Sequence, residues 1–325
     1  MQEVIIYLGS KCNLNCPYCH RERNGNEAGV SQKLLDYLKD RECLIIFKGG
    51  EPTLYMDDID KVVKAANKAR FRVNTNGKLL DKYIEYFREH NFQVCISYDG
   101  DNNVIRGYDP FIKYIDYPDL GISSTICHGN TDIESILDNF MQKSVILGRI
   151  ISFYPHVVHY TNKANKQYAL TKEDYESVLE QFKTCVTKYI DYAKKYHSVN
   201  MRYRGIYAML RLRLEHHFVY GETYCAWHNS TRVDTKGTRY NCLYIRDTEL
   251  DDNYLSEQTK LIDKQFPKCK TCLVYDMCGA GCVKSLGHEM ECWFYSRLYS
   301  WFRQVYEENR EVLDSLECTT NNPIC

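Results

Sequence analysis

The sequence predicts an α/β fold: a partial (β/α)6 barrel followed by a cysteine-rich C-terminal domain. Three observations predict it. Apolar runs of strand length alternate with helical patterns over the first half of the chain, and such alternation builds βα units around a parallel sheet. Right-handed crossovers curl six such units into a barrel or part of one, with the chemistry at the C-terminal strand ends. The polar, glycine- and cysteine-bearing segments fall at those ends, and from Gly221 the composition turns to turn signals, short strands and seven cysteines between Cys225 and Cys292.

Taken in order, Val4-Ile5-Ile6-Tyr7-Leu8 lies in a buried strand over 3–8, followed by a cysteine loop. Ser31 is placed to cap a helix over 32–40, with Leu34, Leu35 and Leu38 at helical spacing. Strands follow over 43–48, 70–75, 92–98, 120–127 and 145–153, separated by helices over 57–69, 80–90 and 131–141. Residues 171–198 form a long helical pattern and 200–218 a basic one, with Arg202, Arg204, Arg211 and Arg213 read as a solvated face or a patch for an anion. Val233 to Gly237 reads as a hairpin turn, and 291–316 as a last amphipathic helix with Trp293, Leu298, Trp301, Phe302 and Val305 on its apolar side. The expected division is 1–160 for the barrel core, 161–219 for a helical connection completing the barrel and 220–325 for the cysteine-rich domain.

Composition bounds the function. The 325 residues carry a net charge of −1, which gives no pull toward nucleic acid. Mean hydropathy is −0.50 and no apolar stretch approaches membrane-spanning length. The N-terminus lacks the basic segment of a signal peptide. Sixteen cysteines in such a chain point to a reducing cytoplasmic compartment and metal ligation rather than disulfides. The 28 tyrosines read first as packing residues.

Cys12, Cys16 and Cys19 sit in eight residues at the spacing C-x3-C-x2-C. Clustered thiolates select zinc or an iron–sulfur cluster. With no fourth cysteine close by, three thiolates would leave one iron open to a non-protein ligand. After the next predicted strand comes Lys48-Gly49-Gly50-Glu51-Pro52. The cysteine spacing, the aromatic Tyr18 before the last cysteine, and this GGEP segment resemble the radical S-adenosylmethionine (SAM) superfamily.

The resemblance implies a partial TIM-like barrel and a [4Fe–4S] cluster on Cys12, Cys16 and Cys19, whose open iron binds SAM. It implies that Gly49, Gly50 and Glu51 face the SAM amino group and that Tyr18 lies beside the adenine. Asn74 and Ser97, at strand ends, are further expected SAM contacts; Ser97-Tyr98-Asp99-Gly100 is similar to the family's S-x-D-G. Arg106 is expected to pair with the SAM carboxylate, with Ser124 and Thr125 as weaker candidates. The implied chemistry is reductive SAM cleavage to a 5′-deoxyadenosyl radical that takes a hydrogen atom from substrate.

The later cysteines run C-x11-G-x4-C, then C-x2-C-x5-C-x3-C, then a cysteine after nine more residues. Read alone, the pattern admits a zinc ribbon. It resembles the SPASM domain, a twin auxiliary-cluster module of peptide-modifying radical SAM enzymes. The resemblance assigns Cys269, Cys272, Cys278 and Cys292 to one [4Fe–4S] cluster and Cys225, Cys242 and Cys282 to another, for three clusters in all. A fourth ligand to the second set stays open, with Glu222 and His228 as candidates. Cys43, Cys95 and Cys127 read as core, while Cys185, Cys318 and Cys325 have no assigned role.

The expected function is maturation of a ribosomally made peptide or a protein substrate by oxidative crosslinking (thioether, C–C or C–O). A flavodoxin- or ferredoxin-type reductant is expected, and a separate leader-binding protein, because a strand beginning at residue 3 leaves no fused leader-binding domain. Alternatives are a peptide epimerase, a sulfatase-maturase-like enzyme, a SPASM enzyme acting on a small molecule, and a non-catalytic iron–sulfur or zinc scaffold. In sulfatase-maturing relatives an acid follows the second cysteine of the later pattern as general base; here that place is Leu243.

Overall fold

A computed structural model of the chain describes residues 1–19, 29–100, 106, 117–146, 152–160, 163–224, 230–240, 254–282 and 285–317. Strands β1 (Gln2–Tyr7), β2 (Cys43–Lys48), β3 (Arg70–Thr75), β4 (Gln93–Ser97), β5 (Leu120–Ile126) and β6 (Ser152–Val157) alternate with α1 (Gln32–Leu38), α2 (Met56–Ala65), α3 (Leu80–Glu89) and α4 (Ile133–Ile146). Ser31 caps α1 as its sequence position predicts, its side chain accepting from the Leu34 N–H. The chain continues through α5 (Lys172–Tyr196), α6 (Arg204–His216), β7 (Ser230–Asp234), α7 (Tyr254–Gln265), α8 (Tyr275–Cys278), α9 (His288–Glu308) and α10 (Arg310–Glu317).

All seven strands pair in parallel, in the order β6-β5-β4-β3-β2-β1-β7, as a curled half-barrel. The α/β partial-barrel expectation holds, with a seventh strand: β7, from the stretch read as a hairpin, pairs alongside β1. The hairpin turn is also present, Gly237 N–H donating to Asp234 O at 3.0 Å.

Three boundaries differ from expectation. The sixth strand lies at 152–157 rather than 145–153, because Val145 and Ile146 extend the helical pattern of α4. The strand that forms instead carries Pro155, which its edge position tolerates. The last helix divides at Asn309, whose Nδ2 turns back to Val305 O at 2.6 Å. The cysteine-rich part contains α7, a helix the turn-rich composition hid.

One face of the sheet (Val4, Ile6, Ile45, Phe47, Val73, Val94, Ile96 and Ile122) packs under the helices in the main core. The other face is apolar only near β1 and β2, where Ile5, Tyr7, Leu44 and Ile46 cluster. Parallel register carries that face through Lys48 opposite Tyr7, Arg72 opposite Ile46, Asn74 opposite Cys95, and His156 opposite Thr125. The barrel interior is therefore polar, as a binding lumen requires. Among the described residues no helix is long and apolar enough to cross a membrane.

Candidate active site

Two loops meet at the C-terminal mouth of the sheet. The Gly50 N–H donates to Gly9 O at 2.7 Å and the Glu51 N–H to Lys11 O at 2.8 Å, which stitches the GGEP segment to the cysteine loop. A Cβ on Gly50 would stand 2.0 Å from Lys11 O, and one on Gly49 2.5 Å from Gly9 O. Both glycines thus serve a backbone-to-backbone approach. Gly50→Ala is expected to separate the loops, costing about 1–3 kcal/mol in a denaturant titration; an unchanged midpoint would show that the contact can relax.

Glu51 is buried, and its carboxylate is already taken. One oxygen accepts from Thr53 N at 3.1 Å and from the Thr53 and Thr75 hydroxyls, each at 2.6 Å; the other accepts from Asn76 N at 2.8 Å. Burial pushes its acid up, against those hydrogen bonds. Glu51 therefore clamps the β2 exit to the β3 exit. Asn76, which sequence reading did not single out, reaches Asn13 Oδ1 at 2.8 Å and Cys12 Sγ at 3.6 Å.

A second hub lies at the end of β4. Asp99 accepts from the Tyr18 hydroxyl, from Arg106 Nε at 3.0 Å and Nη2 at 3.1 Å, and from Thr125 N at 2.8 Å. Arg106 and Asp99 side chains are only 6% and 5% exposed, so in this structure the guanidinium faces Asp99. Burial and Asp99 raise the Tyr18 phenol well above its ordinary range, so it stays a hydrogen-bond donor. Asp99 was legible only as a member of S-x-D-G; its three partners come from separate segments, Thr125 from β5.

Cys12, Cys16 and Cys19 are half-buried at this mouth. Burial raises the Cys16 thiol, Arg106 opposes the rise, and Cys19, Asp99 and Cys12 add to it. Such a thiol needs a cation to ionise, as a metal centre supplies. Asn74 Oδ1 is buried without a hydrogen-bond partner, a cost that a polar ligand at the mouth would remove. Ser97 stands half-buried at the end of β4, opposite Ser123. Ser124 alternates to the other face, away from the lumen side where Ser123 and Thr125 stand.

Cys269, Cys272, Cys278 and Cys292 line one cavity together with Tyr275, His288, Glu291 and Tyr295. Burial pushes Cys269 up to about 11 and Cys278 up to about 12, the neighbouring thiols adding to the rise. Among the described residues no three His, Cys, Asp or Glu side chains converge on a point suited to a single ion. Four thiols around a shared cavity fit a polynuclear cluster better than the tight tetrahedron of zinc. Cys282 is described outside that cavity lining; Cys225, Cys242, His228, Leu243, Cys318 and Cys325 lie outside the described residues. Cys43, Cys95, Cys127 and Cys185 are buried, the first three as expected.

The basic stretch divides. Arg202 pairs with Glu134 and Asp138, and Arg211 with Glu215 and Asp314, whereas Arg213 stacks 3.4 Å from the Tyr224 ring centroid.

The profile described as the Radical SAM superfamily matches residues 6–117. An uncharacterized protein of Methanocaldococcus jannaschii is 32% identical over 122 residues, covering 33% of this chain and 43% of that protein, so the match spans under half of that relative. A cysteine-type anaerobic sulfatase-maturating enzyme of Clostridium novyi is 24% identical, covering 87% of each chain. Among solved structures, native anSMEcpe with bound AdoMet and Cp18Cys peptide superposes with a TM-score of 0.68 at 19% identity, over 95% of this chain and 99% of that one. Streptococcus suis SuiB bound to S-adenosylmethionine gives 0.57 at 16% identity, over 86% and 70%. The solved structures share the fold, and the family match, over residues 6–117, covers the segment whose cysteine and GGEP loops meet at the sheet's mouth.

Proposed function

We propose that the chain is a radical SAM enzyme that oxidises a peptide or protein side chain. The observation that carries this reading is the pairing of two thiol sets. One stands at the mouth of a polar half-barrel; the other lines a cavity among the C-terminal helices. We assign Cys12, Cys16 and Cys19 to the SAM-binding [4Fe–4S] cluster. Cys269, Cys272, Cys278 and Cys292 are assigned to one auxiliary cluster, and Cys225, Cys242 and Cys282 to the other. Residues 1–160 form the core, 161–219 the helical connection and 220–325 the auxiliary domain, which lends β7 to the sheet. When bound, the first cluster and SAM supply a carbon radical that abstracts hydrogen.

The protein's own residues position and exclude. Gly49 and Gly50 bring two loops into contact, Glu51 and Asp99 fix them, and Asn74 and Ser97 offer polar atoms toward SAM. Tyr18 closes one side of the adenine site. Arg106 answers the SAM carboxylate only by sharing its guanidinium with Asp99.

The favoured product is an oxidative crosslink in a ribosomally made peptide. Electrons come from a flavodoxin- or ferredoxin-type protein, and the substrate is presented by the barrel surface or by a separate leader-binding protein. A second reading, oxidation of a cysteine as in sulfatase maturation, is favoured by the end-to-end likeness to the Clostridium novyi enzyme. Leu243, in the place of that family's acid, counts against it.

Anaerobic reconstitution tests the proposal. About twelve irons per chain are expected from three four-iron clusters, with 5′-deoxyadenosine formed on reduction and a peptide lighter by two hydrogens. Zinc in place of iron, or full clusters without SAM cleavage, would leave only a scaffold.

A further inference from the structure

Either oxidation releases a proton as well as a hydrogen atom and an electron, and a histidine–carboxylate pair beyond β6 is arranged to take it. His159 lies two residues beyond β6, at the end where the cysteine loop sits. Its Nδ1 is 3.1 Å from Glu291 Oε2; the imidazole is 32% exposed while the carboxylate behind it is 2% exposed. Nε2 has no hydrogen-bond partner among the described residues. The other Glu291 oxygen accepts from the Ser285 hydroxyl, which in turn accepts from Gly287 N at 3.1 Å. Glu291 stands in the first turn of α9, where the helix dipole favours negative charge. A buried carboxylate within hydrogen-bond distance of Nδ1 orients the ring and leaves Nε2 as the nitrogen available to a substrate.

The placement suits a role at the reacting carbon. Buried Asn165 donates to Tyr18 O at 3.2 Å and to His159 O at 3.1 Å, tying this residue to the cysteine loop. Val158 packs in the same small cluster as Tyr18, with Cys16 against it. His156, on the lumen side of β6, is pushed down to about 3, mainly by burial, with Lys48, His159 and Arg213 adding to the fall. His156 therefore remains neutral, so of the two histidines on and just after β6 His159 is the one paired with a carboxylate; His128, just after β5, pairs with Asp174 at 2.7 Å but is 52% exposed and its carboxylate 17% exposed. Glu291 also lines the four-cysteine cavity, so one dyad connects the mouth to that cavity.

We infer that His159 is the general base of the oxidation and that Glu291 is its positioning residue. The inference rests on the proposed function. After a hydrogen atom leaves the substrate C–H, the carbon radical meets a heteroatom bearing hydrogen. The heteroatom–hydrogen bond breaks, a carbon–heteroatom bond forms, the proton goes to His159 Nε2, and one electron goes to an acceptor of the iron–sulfur class. For a cysteine thiol the bond formed is the second bond of a thioaldehyde; for a crosslink it is the new carbon–heteroatom link.

The test uses reconstituted holoenzyme and a pool of synthetic cysteine-containing peptides, each deuterated at every Cα and side-chain carbon. Wild type is expected to move deuterium into 5′-deoxyadenosine and to make the lighter peptide. His159→Gln is expected to keep the deuterium transfer and to lose product about 100-fold or more, the low end of general-base contributions. Added imidazole is expected to restore product to His159→Ala, and Glu291→Gln to lower product per 5′-deoxyadenosine without stopping it. Unchanged product per 5′-deoxyadenosine in His159→Gln overturns the assignment. So does joint loss of deuterium transfer and product with no imidazole rescue, which marks a structural residue. Wild type that moves no deuterium from any peptide overturns the oxidation reading itself, and the base with it.

Discussion

Cys16→Ala is expected to reduce 5′-deoxyadenosine formation to background, a loss of about 10⁶-fold or more, because the protein then lacks the group that supplies the reactivity. Cys16 stands between Cys12 and Cys19 in the half-buried loop, with its backbone oxygen holding Cys19 N at 3.1 Å. Removing its sulfur leaves two thiols where the proposed cluster uses three. Cys43→Ala is the control. That cysteine is 1% exposed in the core under the sheet, so its loss should cost stability, about 1–2 kcal/mol, and leave SAM cleavage per folded molecule intact. Reconstituted protein, iron content and chromatographic 5′-deoxyadenosine measure both. Equal activity in Cys16→Ala and wild type would remove the first loop from the chemistry.

Asp99→Ala is expected to be the most destabilising single change at the mouth. It strands the Arg106 guanidinium, 6% exposed, and removes acceptors from Tyr18 and Thr125 N. Breaking a buried ion pair from one side costs about 3–5 kcal/mol. The Asp99→Ala/Arg106→Met double variant should recover part of that loss, because no buried charge is then left alone. Denaturant titration of the three proteins gives both numbers. A loss under about 1 kcal/mol in Asp99→Ala, the value of an exposed pair, would show that water reaches Arg106 freely.

The barrel was legible because local signals agreed. The runs at 3–8, 43–48, 70–75 and 92–98 each end in a polar or glycine-bearing loop, and the sheet uses all four in sequence-neighbour order. The sixth strand was displaced because Val145 and Ile146 suit a helix and a strand equally, and periodicity cannot separate short apolar runs. Strand β7 was hidden for a different reason: its partner β1 is more than two hundred residues away, and no local pattern announces such a pairing. The same limit applies at the mouth. Spacing exposed the cysteines and GGEP, which are local motifs. Asp99 with Arg106 and Tyr18, and His159 with Glu291 across 132 residues, exist only after folding.

Among the described residues the sheet has seven strands and two rims, and an open rim invites another chain to pair along it. This fold blunts both. On β6, Pro155 has no N–H to offer, and α6 presses so near that a Cβ on Gly205 would stand 2.3 Å from Phe153 O. On β7 the chain doubles back, Val233 bridging Arg239 and Tyr240 N donating to Arg232 O at 3.1 Å, so the rim is already occupied by its own residues. An unclosed barrel can thus keep its interior reachable without growing into a stack of edge-paired copies. Self-association is restrained by one proline, one glycine and one returning loop.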